Sequence, residues 1–175
     1  MPFHMPNIVY NANQKKKRIS SIVSILSIFL ILSIDQVTKL VISSKLYLGQ
    51  SIPIIKDVLH ITFVKNTGVA FGLFKDNVYF FIAVSVIAAI IIGIILIKAI
   101  RNGEFLDSFL RNFGLILIMS GALGNLIDRV RLMYVIDFID FRIWPVFNIA
   151  DSSITVGTAL LILSFVKNYK NQPAN

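Results

Sequence analysis

The chain has 175 residues, 56% of them hydrophobic, with a mean hydropathy of +0.79 and a formal net charge of +8. That is too apolar for a soluble domain of this length, and the lack of cysteine excludes disulfides, thiolate metal sites and thiol nucleophiles. Only His4 and His60 are present, which argues against a multi-histidine zinc site, and in so apolar a chain a basic excess belongs beside membrane spans and lipid headgroups rather than on nucleic acid.

Residues 1–18 are polar and end in Lys15, Lys16, Lys17 and Arg18. The apolar run that follows is too long for a secretory leader and no small-residue cleavage site ends it. The expectation is a disordered basic extension over 1–18 and a retained first span over 19–42. Next comes a long loop over 45–77. In its DVLHITFV segment, Leu59, Ile61 and Phe63 alternate with His60 and Thr62, the pattern of a half-buried strand over 57–64. His60 then reads as an exposed strand residue, with no second histidine nearby to share a metal. Asn66, Gly68 and Gly72 follow in a turn-rich KNTGVAFGLF.

The second span, 78–100, carries no charge before Lys98 and reads as a packing helix. The third covers 109–127 with Arg111 at its start, and the fourth covers 152–166, leaving 167–175 as a tail. A hydrocarbon core about 30 Å thick takes about 20 helical residues, so the fourth span is short. The expected fold is a membrane all-α four-helix bundle with a β-rich segment outside the bilayer. With the amino terminus inside, inner segments hold nine basic residues and outer segments seven. The cluster abutting the first span is the stronger signal, because charges near span ends dominate orientation. Four spans then put both termini in the cytoplasm.

The stretch Ser120–Gly157 holds four aspartates and two asparagines. Carboxylates beside a bilayer are costly to desolvate, which marks such a cluster as functional. At 1.5 Å per residue Asp35 lies about 24 Å up the first span. Asn125 and Asp128 end the third span at a similar height, and Asp151 begins the fourth. Three spans therefore converge polar groups near one leaflet surface.

Each residue carries two readings. Asp35 and Lys39, one turn apart, form an ion pair or line a cavity. Asp128 makes a local salt bridge to Arg129, a rigid fork for a carboxylate, or a backbone contact, or else serves the site. Asn125 needs a partner at that depth and either braces the returning loop or holds substrate. In VIDFID, Asp137 is set among Val135, Ile136 and Phe138, which raises its pKa by desolvation, while Asp140 is expected to face water. Asp151 either caps the fourth span or ionises there, and the two are compatible. Trp144 and Pro145 read as an interfacial rim or an ordinary belt tryptophan. If Asp137 and Asp151 meet, they share one proton and act as a water-activating acid–base pair, the chemistry of aspartic proteases, without metal or cofactor.

Five blocks now occur in order around the four spans: DQVTK at Asp35–Lys39, NTGVAFG at Asn66–Gly72, GNLIDR at Gly124–Arg129, VIDFID over 135–140, and FNIAD at Phe147–Asp151. Over about residues 20–166 the chain resembles the lipoprotein signal peptidases, the type II signal peptidase family. The resemblance implies an aspartic endopeptidase of the bacterial inner membrane. It would remove the signal peptide of prolipoproteins just before a cysteine that carries a diacylglyceryl group. It implies Asp137 and Asp151 as the catalytic pair, and Asp35, Lys39, Asn66, Gly68, Asn125, Asp128, Arg129 and Asn148 as residues that bind substrate or shape the site. It further implies a β-sheet cradle and a flap within the first outer loop, an active site near the outer face, no metal, and a monomer among membrane lipids. Relative to the family, the loop FRIWPVFN between the two aspartates is compact.

Two other functions use the same carboxylates. A small proton-coupled transporter would run ions past Asp35, Lys39, Asp137 and Asp151, although the charges collect at one face and no repeat halves occur. A Mg²⁺ site for lipid-phosphate chemistry would draw on Asp128, Asp137, Asp140 and Asp151.

Overall fold

Inside a bilayer a helix satisfies its own backbone hydrogen bonds, and the four apolar runs take that form. The computed structural model describes residues 7–68, 77–106 and 108–170. Its elements run α1 (Asn7–Lys45), β1 (Ser51–Ile55), β2 (Leu59–Asn66), α2 (Val78–Asn102), α3 (Phe109–Leu132), β3 (Val135–Asp140) and α4 (Ile149–Lys170). All four helices are long and apolar enough to cross a membrane.

α1 begins at Asn7, so the stretch expected to be disordered is helical from Asn7 to Arg18. Its lysines, glutamine and arginine are good helix formers, and the helix simply continues through them. This part of α1 touches the turn after α2: a Cβ on Gly103 would lie 2.9 Å from Asn13 Oδ1. Gly103 (φ 78°) ends α2 with a Schellman pair of bonds, its N–H donating to Ile100 and the Glu104 N–H to Ala99. Residues 1–6 and 171–175 lie outside the described residues.

The other spans also outrun their expected limits. α3 extends to Leu132 and takes Asp128 and Arg129 into its last turns. α4 starts at Ile149, which puts Asp151 in its first turn. α3 is the central helix: half of its most apolar window is buried, against 11% for α1 and α2 and 22% for α4. It crosses α4 at backbone distance, since a Cβ on Gly114 would lie 2.8 Å from the Gly157 carbonyl oxygen and one on Gly157 2.6 Å from that of Gly114. One apolar cluster, Ile92, Leu96, Phe105, Leu115 and Ile116, joins α2 to α3.

A three-stranded antiparallel sheet, ordered β1–β2–β3, sits at the other end of the bundle. The strand expected over 57–64 is β2, shifted by two residues. Its pairing with β1 makes the sheet expected within the first outer loop, and β3, from beyond that loop, adds a third strand. β3 pairs with β2 so that Val64 faces Asp137 and His60 faces Asp140, with a shift in register between Ile61 and Val64. Leu46, Phe63, Ile136 and Phe138 form the core beneath the sheet. α3 hands over to β3 through Met133, which holds a left-handed φ of 65° and donates its N–H to Arg129 O. Of the flap expected within 45–77, residues 69–76 lie outside the described residues, and Gly72 with them.

Candidate active site

Strand alternation decides which carboxylate of VIDFID enters the site. Residues three apart on a strand point to opposite faces. Asp137 lies opposite Val64, and its carboxylate accepts the Asn66 amide at 2.9 Å on Oδ2 and the Asn148 amide at 2.7 Å on Oδ1. Asn66 is oriented by an Asx turn: its Oδ1 accepts the Gly68 N–H at 3.0 Å, leaving its NH₂ for Asp137. Asp140, expected to face water, is instead only 5% exposed. It accepts the Thr62 hydroxyl at 2.7 Å and pairs with Arg142 at 3.1 Å. Burial alone would push Asp140 up, but Thr62 and the Arg142 N–H and guanidinium outweigh it and hold the carboxyl below the usual range.

The compact loop does close. Phe147 bridges back to Ile139, its N–H and carbonyl both bonded there. Asn148 follows and caps α4. Its Oδ1 accepts the Asp151 N–H at 2.9 Å, while Asp151 Oδ2 accepts the Asn148 N–H at 3.2 Å. This reciprocal pair is a capping box, so Asp151 sits at its third helical position and Asn148, not Asp151, is the N-cap. The same Asn148 donates its NH₂ to Asp137. One residue therefore bonds both carboxylates.

Behind this pair lies a buried polar network. Lys39 is 1% exposed. Its ammonium has three donors, and three acceptors meet it: Asp35 at 2.9 Å, Asp128 at 3.0 Å and Asn125 Oδ1 at 2.9 Å. Asp35 Oδ1 accepts the Ala150 N–H at 2.9 Å, so α1 satisfies a second donor at the start of α4. Asp128 Oδ2 accepts the Ile136 N–H at 3.1 Å and ties α3 to β3. Of the two local contacts expected for Asp128, the backbone one forms, at Ile136, while its ion pair is with Lys39 rather than Arg129. Asn125 is fully engaged in this network: Lys39 and Asn148 both donate to its oxygen, and its NH₂ donates to Asp151 at 2.8 Å.

Arg129 lies over the ring of Phe81, 5.2 Å from its centroid. It shares a cavity of about 580 Å³ with Asn66, Gly68, Asp137, Asp151 and Trp144. Pro145 and Phe147 line the cavity, and Ser152, Thr155 and Val156 continue it down α4. Burial, then the neighbouring Asp151, push the Asp137 carboxyl from its ordinary 3.8 up to about 7, against the pull of Asn66, Asn148 and Lys39. Asp137 therefore keeps its proton up to about neutral pH, with the second carboxyl beside it. Such a pair offers a base for water and an acid for a carbonyl oxygen in the same cavity.

The structure gathers Asp35, Lys39, Asn66, Gly68, Asn125, Asp128, Arg129, Asp137, Asn148 and Asp151 at one end of the bundle. His60 stands apart from them. It is half-buried rather than exposed, its Nδ1 3.1 Å from the Ser51 hydroxyl and its Nε2 buried without a partner among the described residues. Three contributors were missed by sequence reasoning. Gln36 donates to Asp35, the Gly124 carbonyl and Asp128 at 3.1, 3.2 and 3.1 Å. An amide inside a span needs partners, and that signal was available. Phe81 and the α4 wall at Thr155 and Val156 gave none, being ordinary span residues in the sequence.

A family model described as signal peptidase (SPase) II matches residues 27–167. The chain is 46% identical over 141 residues to a lipoprotein signal peptidase of Halothermothrix orenii, covering 78% of this chain and 90% of that one. It is 44% identical over 162 residues to that of Geobacter metallireducens, covering 89% and 94%. A bacterial membrane enzyme solved by the in meso method at 2.3 Å superposes with a TM-score of 0.77 at 34% identity, over 87% of this chain and 93% of that one. A second, solved at 1.9 Å, gives 0.72 at 36% identity over 83% and 93%. The five sequence blocks, the four apolar helices with their small sheet and these likenesses agree: the chain belongs to the signal peptidase II family, membrane proteases that process lipoproteins.

Proposed function

We propose that Asp137 and Asp151 form an aspartate dyad that hydrolyses the signal-peptide bond of a diacylglyceryl-modified prolipoprotein, on the amino side of the lipidated cysteine. The ionised carboxylate takes a proton from water as its oxygen attacks the scissile carbonyl. The protonated partner gives its proton to the carbonyl oxygen, and the tetrahedral intermediate collapses as a proton returns to the leaving amine. The dyad titrates as a unit, so neither residue is assigned a fixed part. Asn66, Asn125 and Asn148 orient the two carboxylates. Gly68 fixes Asn66, and Asp35, Lys39 and Asp128 hold the elements that carry them. Arg129 presents its N–H donors to substrate carbonyls.

The observation that carries this reading is Asn148, whose NH₂ donates to the Asp137 carboxylate at 2.7 Å and whose backbone N–H donates to the Asp151 carboxylate at 3.2 Å, both aspartates lining one cavity. The wall of Thr155 and Val156 on a spanning helix supports lateral approach of a lipid-anchored substrate from the bilayer. The Lys15–Arg18 cluster supports cytoplasmic termini, with the site at the outer face of the bacterial inner membrane, and the family resemblance implies a monomer.

Asp137→Asn and Asp151→Asn, purified and assayed on a diacylglyceryl-modified prolipoprotein, should each lose cleavage by about three orders of magnitude or more while inserting normally. Asp140→Asn should keep most turnover, since its carboxyl points to Thr62 and Arg142. Near-normal cleavage by either dyad variant refutes the assignment. A proton-coupled carrier has no corresponding favourable observation.

A further inference from the structure

We propose that Phe81 is the positioning residue for Arg129, holding its guanidinium over the cavity without using any of its N–H donors. The proposal rests on the reading of that cavity as the cleavage site.

The other buried or paired cations at this end of the bundle are already committed. Lys39 spends its three donors on Asp35, Asp128 and Asn125. Arg142 is paired with Asp140. Arg129 makes no ion pair within 4 Å among the described residues, although it shares the cavity with Asp137 and Asp151. A long, flexible side chain without a fixed partner loses rotamer freedom whenever it engages substrate. Something must hold it, and two means exist. A carboxylate would grip the guanidinium fork in a bidentate pair, taking two N–H donors and cancelling the charge. An aromatic face attracts the cation through its quadrupole and leaves the N–H groups at the rim of the guanidinium plane open. The ring of Phe81, 5.2 Å from Arg129 Cζ, is of the second kind.

The ring is itself well seated. Phe81 lies in the first turns of α2, where Asn77 Oδ1 accepts the Phe80 N–H at 3.3 Å as the helix cap. Phe80 meets it edge-on, with ring centroids 5.3 Å apart and an interplanar angle of 80°. Arg129 lies in the last turn of α3, whose end is set by Met133. Two helix ends thus meet through one ring and one guanidinium. This gives α2, otherwise a packing helix, a part in the site.

The test compares Phe81→Leu, Phe81→Tyr, Arg129→Lys and the double variant Phe81→Leu/Arg129→Lys in the full-length enzyme, with kcat/KM for a diacylglyceryl-modified prolipoprotein as readout. Phe81→Leu keeps apolar bulk but has no ring face, and should lower kcat/KM about three- to tenfold. Phe81→Tyr keeps the face and should stay within about twofold of the parent. A lysine cannot lie flat on the ring, so the double variant should be no worse than Arg129→Lys alone. Should Phe81→Leu fail to fold, Phe81→Met is read against the same expectations. The proposal falls if the aliphatic variant matches the parent, if Phe81→Tyr loses as much as it does, or if the losses of the two single variants multiply in the double. Failure of the cleavage reading shows separately, as retained activity in Asp137→Asn, whereas coupling between Phe81 and Arg129 is decided by the cycle alone.

Discussion

At Asp137, two effects that oppose ionisation outweigh three that favour it, and the carboxyl sits at about 7. The sign of the consequence follows from linkage. A carboxyl with a raised folded pKa holds its proton more tightly when folded. Its contribution favours the folded state fully below its ordinary value near 3.8 and is lost as pH rises through about 7. Thermal unfolding of the enzyme in detergent micelles should therefore show a lower midpoint at pH 8 than at pH 5. Asp137→Asn, with no proton to lose there, should narrow that difference and unfold at a higher temperature than the parent at pH 8. On the proposed mechanism the two aspartates need one proton between them, so turnover should decline on the alkaline side of about pH 7. At this scale the sequence was half legible. It singled out the two aspartates and their apolar setting, but strand parity separates Asp137 from Asp140, and VIDFID, with its acids three apart, does not display a period of two. Nor did the sequence identify Asn148 as the cap, because FNIAD offers both a capping asparagine and an acid within its first helical turn.

Among the elements, α3 carries the tightest constraints. Its glycines are places where another chain of atoms already occupies the Cβ position. A Cβ on Gly124 would come 2.6 Å from Asp35 Oδ2 and 3.2 Å from Ala150 Cβ. The displaced carboxylate is the one that salt-bridges Lys39 and accepts the Ala150 N–H. Gly124→Ala should thus cost about 1–3 kcal/mol of stability as an overpacked position. It should also reduce cleavage, and Asp35→Asn, which keeps an oxygen for Ala150 but drops the charge, should be the gentler of the two. Midpoints of thermal unfolding measured beside turnover check both. The helices were readable because twenty apolar residues in a row have few alternatives. Their ends were not. Capping by Asn148 and termination at Met133 move the α4 start and α3 end past the apolar runs, and β1 and β3 are too short and too mixed to be distinguished from loop.

Over the whole molecule, Lys39 is the junction. Through Asp35 it reaches α1 and the start of α4, through Asp128 it reaches α3 and β3, and through Asn125 it reaches Asp151. Removing a buried charge strands its partners. Lys39→Met should cost about 3–5 kcal/mol, because two carboxylates are left without a counter-ion. Adding Asp35→Asn and Asp128→Asn to Lys39→Met should recover part of the loss, since each asparagine keeps a carbonyl oxygen for the backbone N–H it serves. Unfolding midpoints of the single and triple variants test this directly. The polar groups of three spans were predicted to converge, and they do. What composition and periodicity left out was that the convergence is wired through one ammonium.

The cavity continues from the two carboxylates along Ser152, Thr155 and Val156, the outward side of a spanning helix, where Val156 is 52% exposed. A molecule that seats there dissolves first in the lipid and only then meets the protein. Its effective dose is a mole fraction among phospholipids, not a molarity in buffer. Two compounds with equal contacts to these side chains will differ in apparent potency by the ratio of their oil–water partition, and diluting the same enzyme into more bilayer will weaken both.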